Sequence, residues 1–213
     1  MSHYSGTNSI GFPIFGGLLL YRSGSGVQVC CEMNAFEMLG ITPRLVLAED
    51  ELREAFRAVG KSAHPDAGGD DGKFSSVREA FAMVSSPSRR LSHWLELRGL
   101  KVEIRGSIQP DLMNLFSEVG AVTQQAESLI RRRDEAKSVL VRAMLENEAQ
   151  LCRESIEKAI FSVDAAIQKE CSVFPALENA INLDLSAASM TGRSLAFLEK
   201  WHASLRAIFS RLV

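Results

Sequence analysis

Apolar residues recur along most of this chain at intervals of three and four, the spacing that lines one face of an α-helix, and turn signals cut the pattern into segments. Phe36 and Leu39 share a face of a short helix predicted over 34–40, closed by Gly40, where glycine can take the left-handed C-terminal position. Thr42-Pro43 breaks the chain into a loop. Leu52, Phe56 and Val59 then mark a second helix over 49–63, with Glu49, Asp50 and Glu51 in its first turn, where the helix dipole favours anions. After a glycine-rich stretch, Phe74, Val77, Phe81 and Val84 predict a third helix over 73–85, stopped by Ser85-Ser86-Pro87 because proline has no amide donor. Leu91, Trp94, Leu95 and Leu97 give a fourth over 88–98, ending at Gly99. These four describe a small all-helical domain centred on a hairpin of the second and third.

Residues 100–110 carry no helical apolar repeat and read as a linker. Beyond them Leu112, Leu115, Phe116, Val119, Val122, Ala126, Leu129 and Ile130 keep helical spacing, followed by Arg131-Arg132-Arg133, a solvated helix end rather than a nucleic-acid patch beside Asp134 and Glu135. A second long series runs over 139–167, Pro175 marks a break, and residues 182–191 read as a polar connection. The last helix, over 192–212, places Leu195, Leu198, Trp201, Leu205, Ile208 and Leu212 on one side. Three amphipathic helices with short connections predict an antiparallel bundle. The fold class is all-α, with a second domain over 111–213.

The first 32 residues differ. The apolar run Ile10 to Tyr21 is interrupted by Gly11, Pro13, Gly16 and Gly17 and falls short of the ~20 residues that span a bilayer. No Lys or Arg precedes it, as a secretory signal would require. Met33 stands just before the first helix, so residues 1–32 are expected to be a disordered tail or a mis-assigned extension.

With 46% apolar and 23% charged residues the chain is globular, and a formal net charge of -2 gives bulk electrostatics no reason to attract nucleic acid. The four cysteines include no CxxC pair. Cysteine zinc or cluster sites are therefore not indicated, and reduced cytosolic thiols are expected.

The candidate chemistry lies between the second and third helices, at His64-Pro65-Asp66, which opens the run Ala67-Gly68-Gly69-Asp70-Asp71-Gly72. No Ser, Cys or Thr elbow accompanies the histidine, so a nucleophile-and-base reading fails. His64 and Asp66 are two possible metal ligands without an evident third and fourth. A rigid docking turn fits better: proline fixes the backbone while histidine and aspartate offer hydrogen-bonding groups. Arg53, Arg57 and Lys61 recur every four residues on the preceding helix. Alone, such a stripe is an ordinary solvated face.

Together these features resemble the DnaJ family, whose pattern is an aromatic and Leu-Gly opening, a basic second helix, His-Pro-Asp and an aromatic third helix. Phe74, Val77, Glu79-Ala80-Phe81, Val84-Ser85, Pro87 and Arg90 match that third-helix pattern. The segment from Arg90 to Gly99, with Arg44 and Leu47 in the earlier loop, looks more particularly like HscB. The resemblance implies a J-domain over 33–99 and a client-binding bundle over 111–213. It also implies a co-chaperone, not itself an enzyme, that stimulates ATP hydrolysis by a DnaK/HscA-type chaperone and delivers an IscU-like iron–sulfur scaffold protein to it. The docking residues would be His64, Pro65, Asp66, Arg53, Arg57 and Lys61. Pro110 to Phe116 and Ser194 to Lys200 resemble helices of the HscB bundle, which would put Leu112, Met113, Phe116 and Phe197 on the scaffold-binding surface. Ser117 and Gly120 stand where that family carries acidic residues. A cytoplasmic location is expected, with no cofactor and no nucleic-acid or membrane partner. A J-domain protein whose bundle binds another client or mediates oligomerisation is the alternative.

Overall fold

A computed structural model describes the backbone at 19–23 and 26–30, and residues 34–63, 71–101 and 109–213 with their side chains. Strands β1 (Leu19–Ser23) and β2 (Gly26–Cys30) pair antiparallel, with Leu19 opposite Cys30 and Ser23 opposite Gly26. This ribbon falls inside the 1–32 stretch read as an extension, whose other residues lie outside the described ones. All remaining regular structure described is helical.

Helix α1 (Ala35–Met38) starts under Asn34, whose side chain accepts from the Phe36 and Glu37 amides at 3.0 and 3.1 Å while Glu37 reaches back to the Asn34 amide. This reciprocal capping satisfies donors that a helix start leaves open. Gly40 follows at φ +68 and lets Ile41 N–H turn back to Phe36 C=O at 2.9 Å. Helix α2 (Glu49–Ala63) and helix α3 (Asp71–Ser85) pack as an antiparallel hairpin. Phe56 stacks on Phe81 with centroids 4.5 Å apart, and Gly60 lies against Phe74, so residues early in one helix meet residues late in the other. Helix α4 (Pro87–Glu96) begins with Ser86 as cap and Pro87 in the first turn, where a missing amide costs nothing. It closes at Gly99, φ +71, with Leu100 N–H bonding Leu95 C=O at 3.0 Å.

A 3₁₀ turn, Pro110–Leu112, leads into α5 (Met113–Glu135), then α6 (Val139–Cys171), α7 (Phe174–Asn179) and α8 (Leu185–Leu212). Side-chain contacts give the directions. Arg132 of α5 pairs with Glu148 near the start of α6, while Lys169 near the end of α6 lies 3.9 Å from Asp111. Phe116 and Arg133 of α5 meet Trp201 and Leu212 of α8 in the same order along both helices. Arg153 and Asp164 of α6 meet Leu212 and His202 in reverse order. The bundle therefore runs up, down, up around a core that includes Ala126, Ala149, Ile156, Val163, Leu198 and Leu205. The predicted all-α class, hairpin domain and three-helix bundle all hold.

The start of the last helix differs from its pattern. Residues 182–191 read as a connection, yet α8 begins at Leu185, because Asp184 accepts from the Ser186 and Ala187 amides at 2.9 and 3.1 Å. Its small residues, Ala188, Thr191, Gly192 and Ser194, are buried on a helix that packs against both α4 and α6. They look polar and mixed in sequence because close helix approach selects size rather than hydrophobicity.

Candidate functional site

The α2 face is built as its spacing implies. Leu52 and Ala63 are buried in the first-domain core, while Arg53, Arg57 and Lys61 all face solvent. Arg53 is paired with Glu49 one turn earlier, and Glu51 of the same helix with Arg44 in the preceding loop. No described carboxylate pairs with Arg57 or Lys61, so positive charge is least compensated toward the C-terminal half of the helix. That half leads directly to His64, Pro65 and Asp66, which lie outside the described residues. Their anchors are visible: the buried Ala63 on one side and the start of α3 at Asp71 on the other. Gly60 sits midway, and a Cβ placed there would meet Phe74 Cε2 at 3.9 Å, an ordinary contact. Sterics thus do not demand glycine at this position.

On the bundle, the four residues expected on a client surface separate. Met113 and Phe116 are nearly half exposed. Phe116 lies 5.5 Å from the ring of Trp201, and Phe197 lies 6.3 Å from the same ring while packing partly into the bundle core. Leu112 is 7% exposed and belongs to the core, a correction to its expected surface position. The 3₁₀ turn places Leu112 inward immediately before α5 begins. Trp201 joins this cluster unforeseen, although its position one turn after Phe197 is the signal for it. Exposed Gly120 borders open space, with nothing within 4 Å of an added Cβ. Nearby, burial pushes the Glu170 carboxyl above its usual range, with Asp111 adding to the shift and Lys169 opposing it.

What the sequence did not reveal is how firmly the two domains are joined. Glu199 of α8 reaches the N-terminus of α4, accepting from Ser88 N–H at 2.9 Å and from the Ser86 and Ser88 hydroxyls at 2.7 Å each. A carboxylate from the second domain thus caps a helix of the first. Glu178 of α7 accepts from the backbone amides of Leu45 and Val46 in the first-domain loop. Between these two carboxylates lies Arg90, only 8% exposed, whose Nη1 donates to Val84 C=O at 2.8 Å and whose guanidinium stands 5.8 Å from the centroid of Phe174. Desolvation lowers its pKa, and Cys171, Glu199 and Glu178 oppose that shift. Cys171 beside it is pushed up to about 11 by burial, with Arg90 acting the other way. Phe174, Ala188 and Leu195 of the second domain belong to the core of the first.

Among the described residues no cluster of His, Cys, Asp or Glu could hold a metal ion, and no helix is long and apolar enough to cross a membrane.

No family model matches the chain. A stretch of 55 residues is 34% identical to a DnaJ protein homolog of Cucumis sativus and 36% identical to chaperone protein dnaJ A6 of Oryza sativa subsp. japonica. Each match takes in 26% of this chain and only 13% of the relative's length. Chaperone HscB from Vibrio cholerae superposes over 85% of this chain and all of its own, with a TM-score of 0.51 at 19% identity. The local DnaJ likeness and the two-domain fold likeness together support the HscB-type, DnaJ-like architecture that the residues implied.

Proposed function

We propose that this chain is a J-domain co-chaperone that stimulates ATP hydrolysis by a DnaK/HscA-type chaperone and presents to it a client held on the bundle, an IscU-like iron–sulfur scaffold protein. The observation that carries this reading is the solvent-facing row Arg53, Arg57 and Lys61 on α2, leading into His64-Pro65-Asp66 between two packed helices. The likeness of both domains to an HscB supports it. In this reading the row and the turn dock onto the chaperone, and the ATP and its catalytic groups belong to that partner. Chemically the turn supplies a fixed backbone and two hydrogen-bonding side chains, while Arg57 and Lys61 supply steering charge. Phe116 and Phe197, beside Trp201, form the client face together with the exposed Met113.

Single-turnover ATP hydrolysis by the DnaK-type chaperone of the same cell tests both halves. The native chain is expected to accelerate it, and His64→Gln to abolish the acceleration while leaving the helical circular dichroism unchanged. Failure of the native chain to accelerate hydrolysis would sink the co-chaperone reading. Adding the scaffold protein should increase the acceleration further, and Phe116→Ala should remove only that increment. A bundle that serves another client would give acceleration without the increment.

A further inference from the structure

The distal end of the bundle, where α5 hands over to α6, combines exposed apolar side chains with clustered cations. Val139, Leu140, Val141 and Met144 are 82%, 70%, 44% and 67% exposed. None is needed by the bundle core, which α6 meets through Leu145, Ala149 and Cys152. Lys137 and Arg142 bracket them in sequence, and Arg131, Arg132 and Arg133 close the preceding helix. Two acids, Asp134 and Glu135, oppose these five cations within residues 131–144, giving a local charge of 5 − 2 = +3 on a chain whose total is −2.

The neighbours do not cancel it. Arg132 pairs with Glu148, and Glu146 with Arg153. Arg133 and Arg142 donate to the neutral carbonyls of Leu212 and Ala136. No described carboxylate pairs with Arg131 or Lys137. Counting α6 to residue 154 and the end of α8 around the tip, Arg153 and Arg211 add two cations while Glu146, Glu148 and Glu154 add three acids, so an excess of 3 + 2 − 3 = +2 remains.

Apolar side chains flanked by Lys and Arg at a projecting helix corner suit a surface that is oily inside and negative outside. We propose that this corner docks the protein peripherally on an anionic lipid bilayer, with Val139, Leu140 and Met144 entering the acyl boundary and Lys137, Arg131 and Arg142 meeting the head groups. The positive excess disfavours a second copy of the same corner, because like charges would face each other. Val139, Leu140 and Met144 are each 67% or more exposed and so line no groove, which disfavours an inserted peptide helix. Peripheral docking needs no spanning segment. Helix α6 has 33 residues and so extends about 50 Å. The corner at its start is therefore far from Cys171 and Arg90, where the domains join, and docking there leaves the α2 face free. This inference does not depend on the co-chaperone reading.

Co-sedimentation of the full chain with mixed phosphatidylglycerol–phosphatidylcholine vesicles, against vesicles of phosphatidylcholine alone, tests it. The protein should pellet with the mixed vesicles at low salt, and release as salt rises. The double change Leu140→Asp with Met144→Asp, and separately Arg131→Glu with Lys137→Glu, should each lower the bound fraction roughly tenfold. Both pairs lie on solvent-facing positions, and unchanged circular dichroism confirms folding. Absence of pelleting with the mixed vesicles overturns the proposal, as does pelleting by the aspartate double variant equal to that of the parent. Concentration-dependent dimerisation without vesicles, lost in the same variant, would assign the corner to a second copy instead.

Discussion

Among the described residues, Glu199 reaches far across the fold. Its carboxylate satisfies the Ser88 amide and two hydroxyls at the start of α4 from a helix of the other domain. Truncation to alanine leaves three donors without that acceptor and removes favourable charge from a helix N-terminus. Glu199→Ala should therefore cost about 1–3 kcal/mol, read as a lower urea midpoint. Cys171 supplies a second residue-scale readout. Its folded pKa, about 11, lies above the ordinary thiol value of 9.0, so the neutral form is favoured in the folded state. The associated stability is fully present below pH 9 and is lost as pH climbs from about 9 to about 11. Iodoacetamide should accordingly label Cys171 slowly in the native chain at neutral pH, and faster in Glu199→Ala, which both removes a negative charge that raises the thiol and loosens the joint. Equal rates would mean that the Glu199 cap does not hold the domains together. At this scale the sequence was only partly legible. The family-like apolar residues were visible, but Leu112 and Trp201 both belong to the bundle core, with the Trp201 ring against Phe116, and spacing within one helix does not show what it meets on another.

At the scale of elements, α2 carries the best-defined expectations. Its predicted bounds, 49–63, match the observed helix, because acidic residues favour its start and an apolar stripe fixes its buried face. Gly60 is the weak point within it. Since a Cβ there makes only ordinary contact with Phe74, Gly60→Ala should stabilise the protein by about 0.5–1 kcal/mol, seen as a rise in Tm. A fall would show that glycine serves the packing of the hairpin. Arg57 is exposed and without a described carboxylate partner, so Arg57→Ala should reduce ATPase stimulation severalfold at low salt and by less at high salt, where screening already weakens the native attraction. A salt-independent defect would count against electrostatic docking. Helix α8 shows where periodicity fails. Its first three turns bury Ala188, Thr191, Gly192 and Ser194, and a hydrophobic pattern does not register small residues as core.

At the scale of the molecule, the two domains form one packed body in which Phe174, Ala188 and Leu195 of the second complete the core of the first. Glu178 and Glu199 grip the first domain at two places, with the buried Arg90 between them. The chaperone-docking face and the client face proposed here are therefore held at a set separation rather than on a flexible tether. The sequence by itself determined the helical class, the hairpin of α2 and α3, and the three apolar stripes of the bundle. Those properties follow from local spacing, capping and turn chemistry, which act over one or two helical turns. Only the tertiary structure decided the union of the domains, the inward turn of Leu112 and the burial of the small residues of α8. The union depends on surfaces that meet across more than 100 positions of sequence, as Ser86 and Glu199 do at |i−j| of 113. Contacts of that range are selected by fit and charge between finished helices, and no periodicity within either helix encodes them.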